Sequence, residues 1–275
     1  ALGTPVLVLV TRYRERRISK LGRGLVRNQR IAFRDGLTPE RSRDLLWGWA
    51  RHMTHLVVDF CRMNRITRAN LEERVDLTEL SQIRELQAEG GGVICAGGHI
   101  GVFVLGGHVG ALAGLPAVEV MRPPDNPAIR ALLRKHRIKS GLVLLKKWGV
   151  LWSLRKSLRR GEVIGLAVDE NDRKSPAFAP FLGTMASANS TAALMQRNTG
   201  APIAVVTVNR VSRGRYKFHV WEVIRNPKPR DHELELQPIT RQISIALTRA
   251  ILTYPEQWLW GSRRFQTRTC SVAFC

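Results

Sequence analysis

The chain has 275 residues, of which 44% are apolar, enough to fill a sizeable α/β core and too apolar for a disordered or fibrous protein. Against 22 acidic residues stand 44 Lys and Arg, a formal net charge of +22, which points to anionic partners: nucleic acid, an anionic membrane surface or an acidic carrier protein. Cys61, Cys95, Cys270 and Cys275 lack the paired short spacings of a zinc site, so buried thiols in a reducing cytoplasm are expected.

In chain order, TPVLVLV at residues 4–10 is far shorter than the roughly 20 residues that span a bilayer. The basic run TRYRERRISKLGRGLVR that follows suits an interfacial anchor and equally an amphipathic surface helix. Thr38, Pro39 and Glu40 predict a helix start: an N-cap oxygen, a proline at the first helical position, and an acid near the positive end of the dipole. Leu45, Leu46, Trp49, Met53, Leu56, Val57 and Phe60 then recur at spacings of three and four and predict one apolar helix face packed on the core.

From about residue 92 short apolar runs alternate with helical stretches. GVICA precedes 101–113, AVEVM precedes 127–138, LVLL precedes 148–160, and VIGLAV is followed by a loop and a helix over 189–199. That alternation predicts crossover units and parallel strands. PIAVVTVNR and RYKFHVWEVI, separated by a Gly-containing turn, predict an antiparallel hairpin at one side of the sheet, and a last helix covers about 238–253. The expectation is an α/β fold, with a mixed, largely parallel central sheet flanked by helices and an N-terminal helical segment. Residues 1–36 form that basic, membrane-proximal segment and 37–275 a single domain.

Three ionisable residues fall just past strand ends: His99 after GVICA, Arg122 after AVEVM and Asp169 after VIGLAV. The carboxyl edge of an open α/β sheet is where ligands bind. Gly97, Gly98 and Gly101 clear space around His99, whose side chain titrates near neutrality and can take a proton from a hydroxyl. Such a base gains from a carboxylate that orients it. Were a helix to begin just after His99, the residue brought beside it about a turn and a half later would be Val104. His108, seven residues beyond Gly101 on the same predicted helix, reads as structural.

LVRNQRIAFRDGLTPERSRD, GGHIG, MRPPDNP, LRRGEVIGLAVDEN, FAPFLG and YPEQWLWGSRRFQTR, in this order and at these spacings, resemble the bacterial lipid A biosynthesis acyltransferases of the lauroyl and myristoyl type, within the lysophospholipid acyltransferase superfamily. The likeness runs from about residue 25 to 269. It implies transfer of an acyl group from an acyl carrier protein or coenzyme A thioester to a glycolipid hydroxyl. The setting it implies is the cytoplasmic face of the bacterial inner membrane, with peripheral attachment or an N-terminal anchor. His99 falls at the general base, Arg137 at an arginine that stabilises an oxyanion or binds phosphate, and Asp169 at a strand-end aspartate. Arg122, Asp125, Asn126 and Glu170 would shape the pocket, and Arg263 and Arg264 would meet phosphate or organise the C-terminal segment.

No metal or other cofactor is implied, because a thioester is already activated, and no nucleic-acid recognition motif accompanies the charge. Carrier protein, glycolipid phosphates and the anionic inner-membrane surface together account for the basic excess, with Arg and Lys at 12–30, 134–139 and 155–160 as the candidate face. The chain departs from the family pattern at Val104, where the His-x4-Glu/Asp motif has its acid, and at Ser262, where His commonly precedes the two arginines. Valine at 104 leaves three readings: a weakened or inactive acyltransferase, a non-catalytic glycolipid-binding homologue, or a substitute carboxylate from Asp169 or Glu170. The first two are preferred on sequence alone.

Overall fold

The computed structural model describes residues 15–121, 125–127, 130, 131, 134, 139–146, 149–173, 177–225 and 236–267. Arg122, Arg137, Cys270, Cys275 and most of the helix expected over 127–138 lie outside these residues.

Helix α1 (Glu15–Phe33) leads through a short turn into α2 (Pro39–Arg62), which starts as its capping signals require: Thr38 Oγ1 accepts the Arg41 N–H at 3.2 Å. The inner face of α2 differs from the expectation by one residue. Val57 is exposed, and the buried positions in the helix are His52 and Leu56; a polar residue holds a place that the apolar spacing assigns to core. Cys61 is likewise exposed and Cys95 half-buried, so the expectation of buried thiols fails at the outer side of the last turn of α2.

The main sheet contains β1 (Val75–Asp76), β2 (Val93–Gly97), β3 (Ala117–Met121), β4 (Val143–Lys146), β5 (Val163–Ala167), β8 (Ile203–Ser212) and β9 (Arg215–Ile224), in the order β1-β9-β8-β2-β5-β3-β4. Every neighbouring pair is parallel except the β8–β9 hairpin, so the α/β, largely parallel sheet is present with its antiparallel pair toward one side. The short α3 (Leu71–Arg74) and α4 (Ser81–Ala88) precede β2. Helices α5 (Gly106–Leu112), α6 (Val150–Arg159), α7 (Thr191–Thr199) and α8 (Leu236–Thr253) supply the remaining layers.

Central strands alternate between two cores. Ile94 and Ala96 of β2, with Ile203 and Val205 of β8, join Leu154, Leu158, Met195, Ile243 and Leu247 on one face. Val93, Ala204 and Val208 join Leu56, Ile83, Leu86, Leu105 and Val109 on the other. A strand buried on both sides reads as a continuous apolar run, which is why these segments carry no polar alternation. Leu25 of α1 belongs to the first core, tying the N-terminal helix to the sheet.

The loop expected before residue 189 is instead a second, two-stranded antiparallel sheet, β6 (Ala177–Phe181) with β7 (Thr184–Ala188). Leu182 and Gly183 turn it with φ of 49° and 72°, the paired positive values of a tight hairpin turn. A leucine in that position, buried in the first core, hides the turn from any reading that looks for Asn-Gly or Asp-Gly.

Candidate active site

Strands β2 and β5 pair with Gly97 opposite Ala167. Two residues further along each strand stand His99 and Asp169, and the parallel register brings them together. His99 Nδ1 and Asp169 Oδ1 are 2.8 Å apart, and the His99 backbone N–H donates to Asp169 Oδ2 at 2.8 Å. The indole N–H of Trp258 donates to the same Oδ2 at 3.0 Å.

Asp169 is only 2% exposed. Burial raises the pKa of a carboxyl; here the charge and side-chain bond of His99, its backbone N–H and the Trp258 indole outweigh it, and the net shift is downward. An ionised Asp169 accepts only, so Nδ1 carries the ring proton and Nε2 is the basic nitrogen. The Phe103 ring packs against the imidazole at 5.0 Å between centroids, nearly perpendicular to it.

The backbone is shaped for this contact. A Cβ on Gly98 would lie 2.8 Å from Asp169 Cγ, and one on Gly101 would lie 2.2 Å from the Val208 carbonyl oxygen, with φ at +66° besides. Ile100 and Gly101 are each bridged to a neighbouring segment, at Trp258 and Val208. Leu259 N–H donates to the His99 carbonyl at 3.0 Å and Gly101 N–H to the Gln257 carbonyl at 2.9 Å. These bonds hold the chain extended past His99, and α5 begins only at Gly106.

The helix expected to start directly after His99 therefore does not form there. Val104 sits in a 3-10 turn and packs against the second core. His108 is buried, with Nε2 3.3 Å from the Ile66 carbonyl oxygen, a structural histidine as read from sequence.

Beneath the loop lies a polar network that the sequence reading missed. His52 Nε2 is 3.2 Å from the Gly101 carbonyl oxygen and its Nδ1 is 2.9 Å from Arg210 Nη1. Arg210 also bonds Asp59, whose other carboxylate oxygen accepts from Tyr216 Oη at 2.8 Å. Burial, followed by the Arg210 charge, lowers the His52 pKa to about 4. The segment after α8 is fastened from the other side by Asn28, whose amide donates to the Trp260 and Ser262 carbonyls at 2.7 Å each. An asparagine on the inner side of a basic helix is the signal that would have found this contact.

Arg264 is 1% exposed and lies over the Phe181 ring at 4.3 Å, with Nε and Nη1 buried and unpartnered among the described residues. Burial lowers its pKa to about 10 while the charge of Asp169 opposes the fall. The charge of Asp169 thus offsets part of the cost of burying Arg264. Arg263 and Glu170 are exposed, as are Asp125 and Asn126 beyond β3, where the Asn126 carbonyl accepts the Arg130 N–H at 3.0 Å. Arg122 and Arg137 fall outside the described residues.

The site is thus a histidine oriented by a buried aspartate at the carboxyl edge of a largely parallel sheet, an arrangement able to remove a proton from a hydroxyl. The chain belongs to the bacterial lipid A biosynthesis acyltransferase family, which it matches over residues 16–267. It is 26% identical over 198 residues to the lipid A biosynthesis palmitoleoyltransferase of Escherichia coli K12, covering 70% of this chain and 62% of that protein. It is 28% identical over 195 residues to the lipid A biosynthesis lauroyltransferase of the same organism, covering 69% and 61%. The chain therefore spans a little over three-fifths of the curated relatives it matches.

Proposed function

We propose that this protein transfers a fatty acyl group from a thioester of acyl carrier protein or coenzyme A to a hydroxyl of a glycolipid such as a lipid A precursor. The acceptor would be met at the anionic cytoplasmic face of an inner membrane. Family membership and the names of the relatives support acyl transfer in lipid A synthesis, and the His99–Asp169 contact carries the reading to these residues.

In the reaction, Nε2 of His99 takes the proton of the acceptor hydroxyl as its oxygen bonds to the thioester carbonyl carbon. The ionised, buried Asp169 stabilises the resulting imidazolium. Collapse of the tetrahedral intermediate breaks the carbon–sulfur bond, and the departing thiolate takes the proton back from His99. Arg137 is assigned by motif position to the oxyanion or to an acceptor phosphate, and the basic surface to the carrier, the acceptor and the lipid face. The excess of 22 positive charges supports these anionic partners.

Val104 is the feature that suggests a weakened enzyme or a glycolipid-binding homologue. The contact with Asp169 favours the third reading, in which a carboxylate 70 positions further along the chain serves His99 without any acid at 104.

The test is acyl transfer from labelled acyl carrier protein or coenzyme A thioesters to a panel of glycolipids by the wild type, His99→Ala and Asp169→Asn. Transfer by the wild type and a loss of about four orders of magnitude in kcat for Asp169→Asn are expected. Glycolipid binding without transfer to any acceptor would replace the enzyme reading with the binding-protein one.

A further inference from the structure

We infer that the outward face of α6, centred on Trp152, seats the protein on an anionic membrane surface. This deepens the membrane part of the function proposed above by naming the element that makes the contact.

Helix α6 has two unlike sides. Leu154, Ser157 and Leu158 are buried against the sheet. The opposite side carries Trp152, Lys156 and Arg159 at spacings of four and three, which superpose on one face of a helix, with Leu151 and Arg155 alongside. All five are exposed, Trp152 to 69%. The helix has no Asp or Glu, and among the described residues no carboxylate pairs with Arg155, Lys156 or Arg159. Lys156 Nζ lies 5.3 Å from the Trp152 ring centroid. Val143, on the edge strand β4 that precedes the helix, is exposed as well.

An indole and a leucine set among cations match the boundary of an anionic bilayer, where an amphipathic ring sits at headgroup depth and Lys or Arg meet lipid phosphates. The apolar groups stand on the outer side of a helix and project from the molecule. A lipid surface accepts projecting side chains in any register, whereas a folded acidic partner needs a recess cut to receive them. That geometry favours lipid over an acidic protein.

Position supports the same occupant. Leu151 and Trp152 lie in the first turn of α6, just past the carboxyl end of β4, and His99 lies just past the carboxyl end of β2. Strand order places β4 three strands from β2, roughly 14 Å across the sheet. Leu151 and Trp152, which open the proposed face, thus stand at the same strand-end edge where a lipid acceptor must reach Nε2. Among the described residues no helix is long and apolar enough to cross a membrane.

The experiment is flotation of the full chain with phosphatidylglycerol-containing vesicles and with phosphatidylcholine vesicles. Three variants are compared: Leu151→Ser with Trp152→Ser, Arg155→Gln with Lys156→Gln, and Trp47→Ser as a control tryptophan on α2 that is 56% exposed. The apolar pair is expected to lower binding to anionic vesicles about tenfold. The charge pair is expected to lower it roughly thirtyfold on anionic vesicles and leave neutral ones unchanged. The control should change it less than about twofold, as a scattered surface residue does.

Wild-type binding by both double variants, or an equal loss with Trp47→Ser, overturns the inference. So does a loss of acyl carrier protein binding or of a dimer, measured by titration and light scattering, with vesicle binding intact. Acyl transfer in detergent micelles separates the two readings. A Leu151→Ser, Trp152→Ser protein that transfers in micelles but fails to float supports both. A wild type that floats through α6 and transfers nothing retains the docking surface and loses the enzyme.

Discussion

Arg210 Nη1 stands 2.9 Å from Nδ1 of His52. A guanidinium can only donate, so His52 accepts at Nδ1 and carries its proton on Nε2, where it meets the Gly101 carbonyl at 3.2 Å. A charged imidazole would direct a proton at Arg210, and burial together with that charge keeps the His52 pKa at about 4, against 6.5 for the free side chain. Between these values the unfolded chain binds the proton and the folded protein does not. The His52 contribution to folding stability is therefore complete above about pH 6.5, falls as the pH drops toward 4, and levels off below it. The loss is about 3 kcal/mol at 1.36 kcal/mol per pKa unit. Denaturant unfolding of the wild type and His52→Gln at several pH values checks this: the glutamine variant, which keeps an acceptor and a donor but cannot titrate, should lose most of that slope.

Gly98 has room for a hydrogen and nothing larger, since an added Cβ would lie 2.8 Å from Asp169 Cγ and 2.9 Å from Oδ2. Gly98→Ala should leave the sheet intact and push the carboxylate off Nδ1. A displacement of about 1 Å costs on the order of a hundredfold in kcat. Circular dichroism unchanged within error, with acyl transfer reduced by that factor, is the expected pair of results. Full activity would mean that the contact between His99 and Asp169 is dispensable.

Much of this architecture can be read from the chain alone. The apolar runs that become β2 and β5 and open β8 are continuous because both faces are buried, and His99 and Asp169 stand out as polar residues just past two of them. Their pairing is only one of three readings that the sequence leaves open, because it depends on β5 lying beside β2 while β3 and β4 intervene in sequence. The same dependence on the fold holds for Asn28 and Trp260, 232 positions apart, and for the group of His52, Asp59, Arg210 and Tyr216. Each is an ordinary polar residue until the fold supplies its partners. The hairpin of β6 and β7 escapes notice for a local reason, its turn being built on Leu182.

Val104→Glu restores the acid of the family motif in sequence but not in place. Val104 packs among the second core, in a turn that precedes α5, and His99 already has a carboxylate. A glutamate there must lose hydration or force the turn open, at a cost of about 2 kcal/mol. Acyl transfer should rise by less than about threefold and the denaturation midpoint should fall. A gain of a hundredfold or more would identify Val104 as the lesion and reduce Asp169 to a structural role.

Asn28 connects α1 to the segment that clasps the site. Its amide donates to the carbonyls of Trp260 and Ser262, and the same segment supplies the Trp258 indole to Asp169 and the Leu259 N–H to the His99 carbonyl. Asn28→Ala leaves a buried carbonyl at Trp260 without its donor, at a cost of about 1 to 3 kcal/mol. Because Trp258 is only two residues away, the loss should reach the chemistry as well as the fold. Residues 255–267 should become more accessible to protease, and kcat should fall about tenfold as Asp169 loses a fixed donor. Asn28→Gln, which keeps the amide on a longer arm, should recover part of both. Asn28→Asp should not, because it sets a carboxylate against two carbonyl oxygens, and this ordering of the three variants separates a hydrogen-bonded clasp from simple loss of packing.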